Sequence, residues 1–222
     1  MKWSISVTNF FDTLIAATED ERQAFQQIET LKKGSTGDIS LENYQQFLIQ
    51  AYHHVKHTTP LLMACGSRIP HNKEWLRNAI AEYIEEELGH QEWILNDIAA
   101  TGLDPELTRH GIPHPSTELM IAYAYDMITR INPVGFFGMV LVLEGTSIAL
   151  ATNAALKLQT NLNLPDSAFS YLSSHGSLDI EHMGFYEKLM NQISDEDDQI
   201  IIIHAAQMFY KLYGDIFRSI AV

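Results

Sequence analysis

The run Ser174-His175-Gly176-Ser177-Leu178-Asp179-Ile180-Glu181-His182 sets two imidazoles and a carboxylate at offsets of four and three. On a helix turning about 100° per residue, Asp179 falls about 40° from His175 and His182 about 20° to the other side. All three then project from one stripe, which makes half of a metal site. Upstream, Glu87-x-x-His90 puts a carboxylate and an imidazole one turn apart, the spacing used by di-iron carboxylate helices. Glu86 competes with Glu87 for that role, because it lies one turn from His90 in the other register.

Between the two segments, Glu144 interrupts an apolar run from Gly135 to Ala151. A charge in such a run costs several kcal/mol unless it is paired or binds a metal. A cation should therefore meet Glu144, with an arginine such as Arg130 as the plain alternative. Together Glu87, His90, Glu144, His175, Asp179 and His182 would supply three imidazoles and three carboxylates. Mixed nitrogen and oxygen donors without thiolate suit iron or manganese better than structural zinc, and six ligands suit two metals. Three acids against two Fe(II) ions leave about one positive charge, which would favour a substrate carboxylate.

These residues need helices to carry them. The pattern predicts a first helix over Phe10–Lys33, stopped by Gly34-Ser35-Thr36-Gly37, and a second opened by Ser40 as its cap. Pro60 bends or interrupts the second, and Pro70 ends it. A long helix over Asn72–Ala100 carries Glu87 and His90. Gly102–Ser116, with three prolines, reads as a loop, and Thr117–Ile131 as a fourth helix. Val134–Leu162 carries Glu144. A helix from Pro165-Asp166 to Ile193, broken near Gly176, carries the stripe, and a last one runs from Glu196 to the C-terminus. No stretch shows sustained period-two alternation. The expectation is one all-α domain over residues 1–222, a bundle of about seven helices.

Composition narrows the class of function. In 222 residues, 28 acids stand against 14 bases, a formal net charge of −14, which disfavours nucleic acid and anionic membranes as partners. The single cysteine, Cys65, fits a reducing compartment. The opening Met1–Asn9 has no sustained apolar core, so no signal peptide is expected. Phe136–Leu150 is too short to span a bilayer and contains Glu144. A cytoplasmic protein is the expectation.

With these motifs the whole chain resembles the haem-oxygenase-like di-iron oxidases and oxygenases, the iron-containing redox enzymes. The resemblance rests on Glu87-x-x-His90, Glu144 and His175-x-x-x-Asp179-x-x-His182 in that order, with 54 residues from His90 to Glu144 and 31 from Glu144 to His175. It implies a haem-oxygenase-like bundle, ligand roles for those six residues, two iron ions cycling between Fe(II) and Fe(III) or manganese in their place, and O2 as co-substrate. It further implies oxidation of a fatty-acid-like or amino-acid-like molecule, an external reductant and a homodimer. Two rivals remain: a metal-independent protein of the same fold, thiaminase-like or a cofactorless oxidase, and an iron-binding protein without substrate.

Other residues have plainer readings. His53, His54 and His57 read as surface or supporting groups, although His53 and His57 stand at ligand spacing; His71, His110, His114 and His204 read as structural. Cys65 has no base beside it in sequence to make it a nucleophile. Met120, Met127 and Met139 read as core. Tyr83, Phe136, Phe137, Val140 and Ser147 lie one or two turns from the ligands and are candidates for a pocket wall, with Arg130 or Lys56 to hold a substrate carboxylate.

Overall fold

The computed structural model describes residues 9–220, without the side chains of 149–153 and 175–181; Met1–Thr8, where the leader question falls, lie outside the described residues. Twelve α-helices stand among the described residues, where the sequence suggested about seven, and no strand.

The expected first helix is three: α1 (Phe10–Ala17), α2 (Glu19–Gln26) and α3 (Glu29–Thr36). Thr18 ends α1 by turning its hydroxyl onto the Leu14 carbonyl at 2.9 Å. Ile28 adopts an extended backbone and is buried, so the chain kinks to place an apolar side chain in the core. Gly37 closes α3 with φ +80°. The expected serine cap holds: Ser40 and Asn43 form a reciprocal capping box at the head of α4 (Leu41–Val55). The break after α4 falls at Lys56-His57, ahead of Pro60. That proline sits in the first turn of α5 (Thr58–Arg68), where no amide hydrogen is needed.

The long helix expected over Asn72–Ala100 is split at Leu88-Gly89 into α6 (Glu74–Glu87) and α7 (His90–Ala100), because Gly89 takes φ +91°. The proline loop contains a short α8 (Pro105–Arg109). α9 (Pro115–Asp126) runs into a π turn over Met127–Ile131, and a 3-10 turn over Pro133–Phe136 leads into α10 (Phe137–Leu162). α11 (Ser170–Met190) is unbroken through Gly176, contrary to the expected interruption. α12 (Glu196–Ser219) starts at an Asp195 cap, and acids fill its first turn as its dipole favours.

α10 is the axis, with α11, α12 and α3 packed against it. At Gly138 a β-carbon would lie 2.6 Å from the Ala206 amide nitrogen and 2.8 Å from the Ile202 carbonyl, so only glycine lets α10 and α12 approach this closely. Asp97 ties α7 to α11. Fully buried, its carboxylate accepts from the Ser170 amide at 3.0 Å, the Ser170 hydroxyl and the Tyr171 amide at 2.9 Å, and so caps the helix carrying the candidate ligand stripe. Among the described residues no helix is long and apolar enough to cross a membrane.

Asp97→Ala strands three donors at that junction and should lower stability by about 2–3 kcal/mol, read as a lower urea midpoint at unchanged slope. Asp97→Asn keeps one oxygen for Ser170 and should lose less. An alanine variant as stable as the parent would remove Asp97 as the tie.

Candidate metal centre

Glu87 and His90 flank a helix break, not one continuous turn. Leu88 is extended, Gly89 is left-handed, and the chain folds back so that Glu87 Oε2 lies 3.0 Å from His90 Nδ1. His90 is buried, and its ring stacks on Trp93 at a centroid distance of 4.0 Å. The adjacent Glu86 points elsewhere: its Oε2 lies 3.2 Å from Nε2 of His182, which links α6 to α11. Glu87 is 13% exposed and Glu86 48%. The less exposed member of the pair therefore faces His90, and the half-exposed one faces His182.

Glu144 comes in from α10 with Oε2 buried. Arg130 is not the cation it meets, since its guanidinium is 78% exposed and bound to Asp126 at 3.1 Å. Tyr83, one turn before Glu87, lies among these acids. Its ring makes edge contacts with His182 at 6.4 Å and Phe185 at 5.5 Å. Burial pushes its phenol far above the ordinary tyrosine range, and Glu144, Tyr186, Glu86 and Glu87 add to the rise in that order. Tyr186 is likewise raised by burial and then by Glu144, and its hydroxyl donates to the Phe137 carbonyl at 2.8 Å. Negative charge from α6 and α10 thus converges on one buried phenol, a setting that suits a cation.

His175 and Asp179 lie outside the described residues as side chains, although the unbroken helix keeps their register with His182. Among the described residues, no three His, Cys, Asp or Glu side chains form a group arranged to hold a metal. The donors that are described stand as two pairs, Glu87 with His90 and Glu86 with His182, with Glu144 across from them.

Glu87, Glu144 and Tyr83 line an apolar cavity of about 170 Å³. Phe136, Val140 and Ser147 line it as the sequence suggested, whereas Phe137 is buried in the core away from it. Met139, expected in the core, is also a wall residue. Lys56 and Arg130 do not line it: Lys56 lies 3.2 Å from His53 Nδ1 and over the Tyr52 ring. The residue missed is His54, which lines the cavity against Tyr213. Its position seven residues after Phe47, on the same face of α4, was the available signal. His53 and His57 do not form a ligand pair, since His57 Nδ1 lies 3.2 Å from the Tyr125 hydroxyl. Burial, Lys56 and His57 push His53 down to about 4.

Cys65 is fully buried, donates its thiol to the Pro133 carbonyl at 3.2 Å, and is pushed up to about 12 by burial. A thiolate is the nucleophile, so this sulfur is unsuited to that part. Native protein at pH 8 should leave Cys65 unmodified by iodoacetamide, with reaction appearing only in denaturant; rapid native labelling would contradict the burial. For the metal centre, manganous or ferrous ion bound at His90 should perturb the emission of the stacked Trp93. Trp93→Phe should remove that response, and a response unaltered in this variant would separate the ion from His90.

Residues 45–214 match the family of iron-containing redox enzymes. Comparison with curated proteins gives no match. Among solved structures, the chain is similar to a domain of unknown function with a haem oxygenase-like fold from Shewanella denitrificans OS217, at TM-score 0.85 and 19% identity, covering 97% of this chain and 93% of that one. It is also similar to a TenA homologue from Pseudomonas syringae pv. tomato DC3000, at TM-score 0.78 and 14% identity over 97% and 94% of the two chains. Haem oxygenase-1 from Synechocystis sp. PCC6803, solved with haem, gives TM-score 0.75 and 10% identity over 96% and 92%. These likenesses establish the haem-oxygenase-like fold. With more than two thirds of its length matched, the chain belongs to the family of iron-containing redox enzymes.

Proposed function

We propose that the chain is a non-haem di-iron oxidase or oxygenase that uses O2 to oxidise a small organic molecule. The observation that carries this reading is the gathering of Glu86, Glu87 and Glu144 around buried Tyr83, with His90 and His182 each within 3.2 Å of one of those acids. Glu87, His90, Glu144, His175, Asp179 and His182 would hold the two ions, with Glu86 the alternative to Glu87 and manganese the alternative to iron. Bound there, two ferrous ions would supply electrons to O2.

The protein's own groups prepare the place. The Gly89 turn brings Glu87 against His90, and Trp93 fixes the plane of the imidazole. Such outer contacts orient ligands and tune their basicity. Apolar walls exclude water from the reacting region and strengthen electrostatic interactions there. In this reading the protein acts as a single domain in the cytoplasm, as a homodimer, with an external reductant returning electrons.

Protein produced with added iron should carry about two irons per chain and take up O2 only when ferrous ion and a competent acid or amino acid are both present. Glu144→Gln and His182→Gln should each lower iron content and slow O2 uptake at least tenfold. Iron-free protein that oxidises the same substrate at full rate would favour the metal-independent reading. Iron uptake with no substrate-dependent turnover across such a screen would favour storage.

A further inference from the structure

The proposed ligands are shielded from water, so an ion has to be let in. The side chains of His90 and His182 are less than a tenth exposed and that of Glu87 little more, whereas Glu86 is about half exposed. The cavity is a poor entrance for a cation. Among its described lining residues the only acids are Glu87 and Glu144, and the rest of the wall is mostly apolar. Stripping water from an ion against such a wall costs several kcal/mol.

Glu86 stands differently. Part of its side chain is in solvent, and its Oε2 lies 3.2 Å from Nε2 of buried His182. Donors that close can both touch one ion, since metal–oxygen and metal–nitrogen distances are about 2.0–2.2 Å. Glu86 also ends a stripe on α6: Glu82, Glu85 and Glu86 stand at offsets of three and four, and all are exposed. Among the described residues no lysine or arginine pairs with any of them, and Arg77 of the same helix is paired with Glu74 at 3.8 Å instead. An uncompensated stripe of this kind raises the local concentration of cations. Inward of the Glu86–His182 pair stands Tyr83, 2% exposed, with its ring edge-on to His182 at 6.4 Å. Its hydroxyl has no hydrogen-bond partner among the described residues, and Glu144, Glu86 and Glu87 all act on it. A buried hydroxyl left so costs about 1–3 kcal/mol, and this one lies within reach of both the exposed acid and the buried one.

We propose that Glu86 is the entry ligand of the centre: its carboxylate takes a hydrated divalent cation from the Glu82-Glu85 stripe, passes it inward by way of Tyr83 to Glu87 and His90, and then withdraws. This rests on the reading above and resolves its alternative, with Glu87 the resident ligand and Glu86 the carrier. A group that touches the ion only in passage lowers the barrier equally in both directions. It therefore sets rates and leaves affinity alone.

The test uses manganous ion, followed by loss of the free-ion EPR signal on mixing with the full chain and by its return when excess zinc displaces the ion. In about 0.5 M salt, which screens through-space attraction, Glu86→Gln should slow uptake and release alike, about tenfold each, with Kd within about threefold of the parent. Glu87→Gln should instead weaken affinity at least tenfold, chiefly through faster release. The double variant Glu82→Gln with Glu85→Gln should slow uptake about threefold at low salt and match the parent in about 0.5 M salt. Parent rates in Glu86→Gln, or an affinity loss there equal to that of Glu87→Gln, would overturn the proposal, and so would a double variant indistinguishable from the parent at low salt. Each of these leaves manganese bound by the parent and so is distinct from failure of the metal-centre reading. A parent chain that takes up no manganese would end both.

Discussion

A glutamate in the middle of an apolar helix is tolerable only when positive charge meets it, and Glu144 imposes that condition on everything packed around α10. Tyr83 and Ser147 line the same cavity as Glu144, and Arg130 is committed at the surface to Asp126. α6 adds to the negative charge rather than cancelling it, because Glu86 and Glu87 both bear on Tyr83. The bundle thus builds a low-dielectric interior and then faces it with carboxylates. In the reading proposed above, the ions held there would be the counterions of that arrangement.

Holding such groups in place falls to junctions more than to helix interiors. The Leu88-Gly89 turn converts a simple sequence spacing into a fold-back that presses a carboxylate onto an imidazole. Asp97, further along α7, reaches across to the first amides of α11. The segments bearing His90 and His182 are therefore tied by a buried cap as well as by apolar packing. Burial of Asp97 raises its carboxyl despite three donors, so the tie keeps a net desolvation cost.

Much of this was legible in the residues. Ser40 announced a cap, the acids after Asp195 announced a helix start, and the isolated Glu144 announced a buried charge. The features that escaped depend on tertiary context. Nothing local distinguishes Gly89, which breaks a helix, from Gly176, which does not. Ile28 leaves the helical conformation while burying its side chain in the core, a gain that periodicity cannot see. Phe137 turns into the core instead of the cavity wall, because a rotation of α10 by a fraction of a turn decides which side chains face the cavity, while Met139 is in the core as expected and reaches the cavity as well. Glu86 and Glu87 were separable only once the turn after them was known.

Gly138 extends the influence of α12 to the centre. With main chain of α12 only 2.6 Å from where a side chain would begin, the two helices touch backbone to backbone. Glu144 follows Gly138 by six residues, about 9 Å along the same rigid rod. The depth at which that carboxylate sits is consequently gauged by a helix that contributes none of the proposed ligands. Bulk added at this crossing would displace the whole rod, and the centre would feel the thickness of a distant contact.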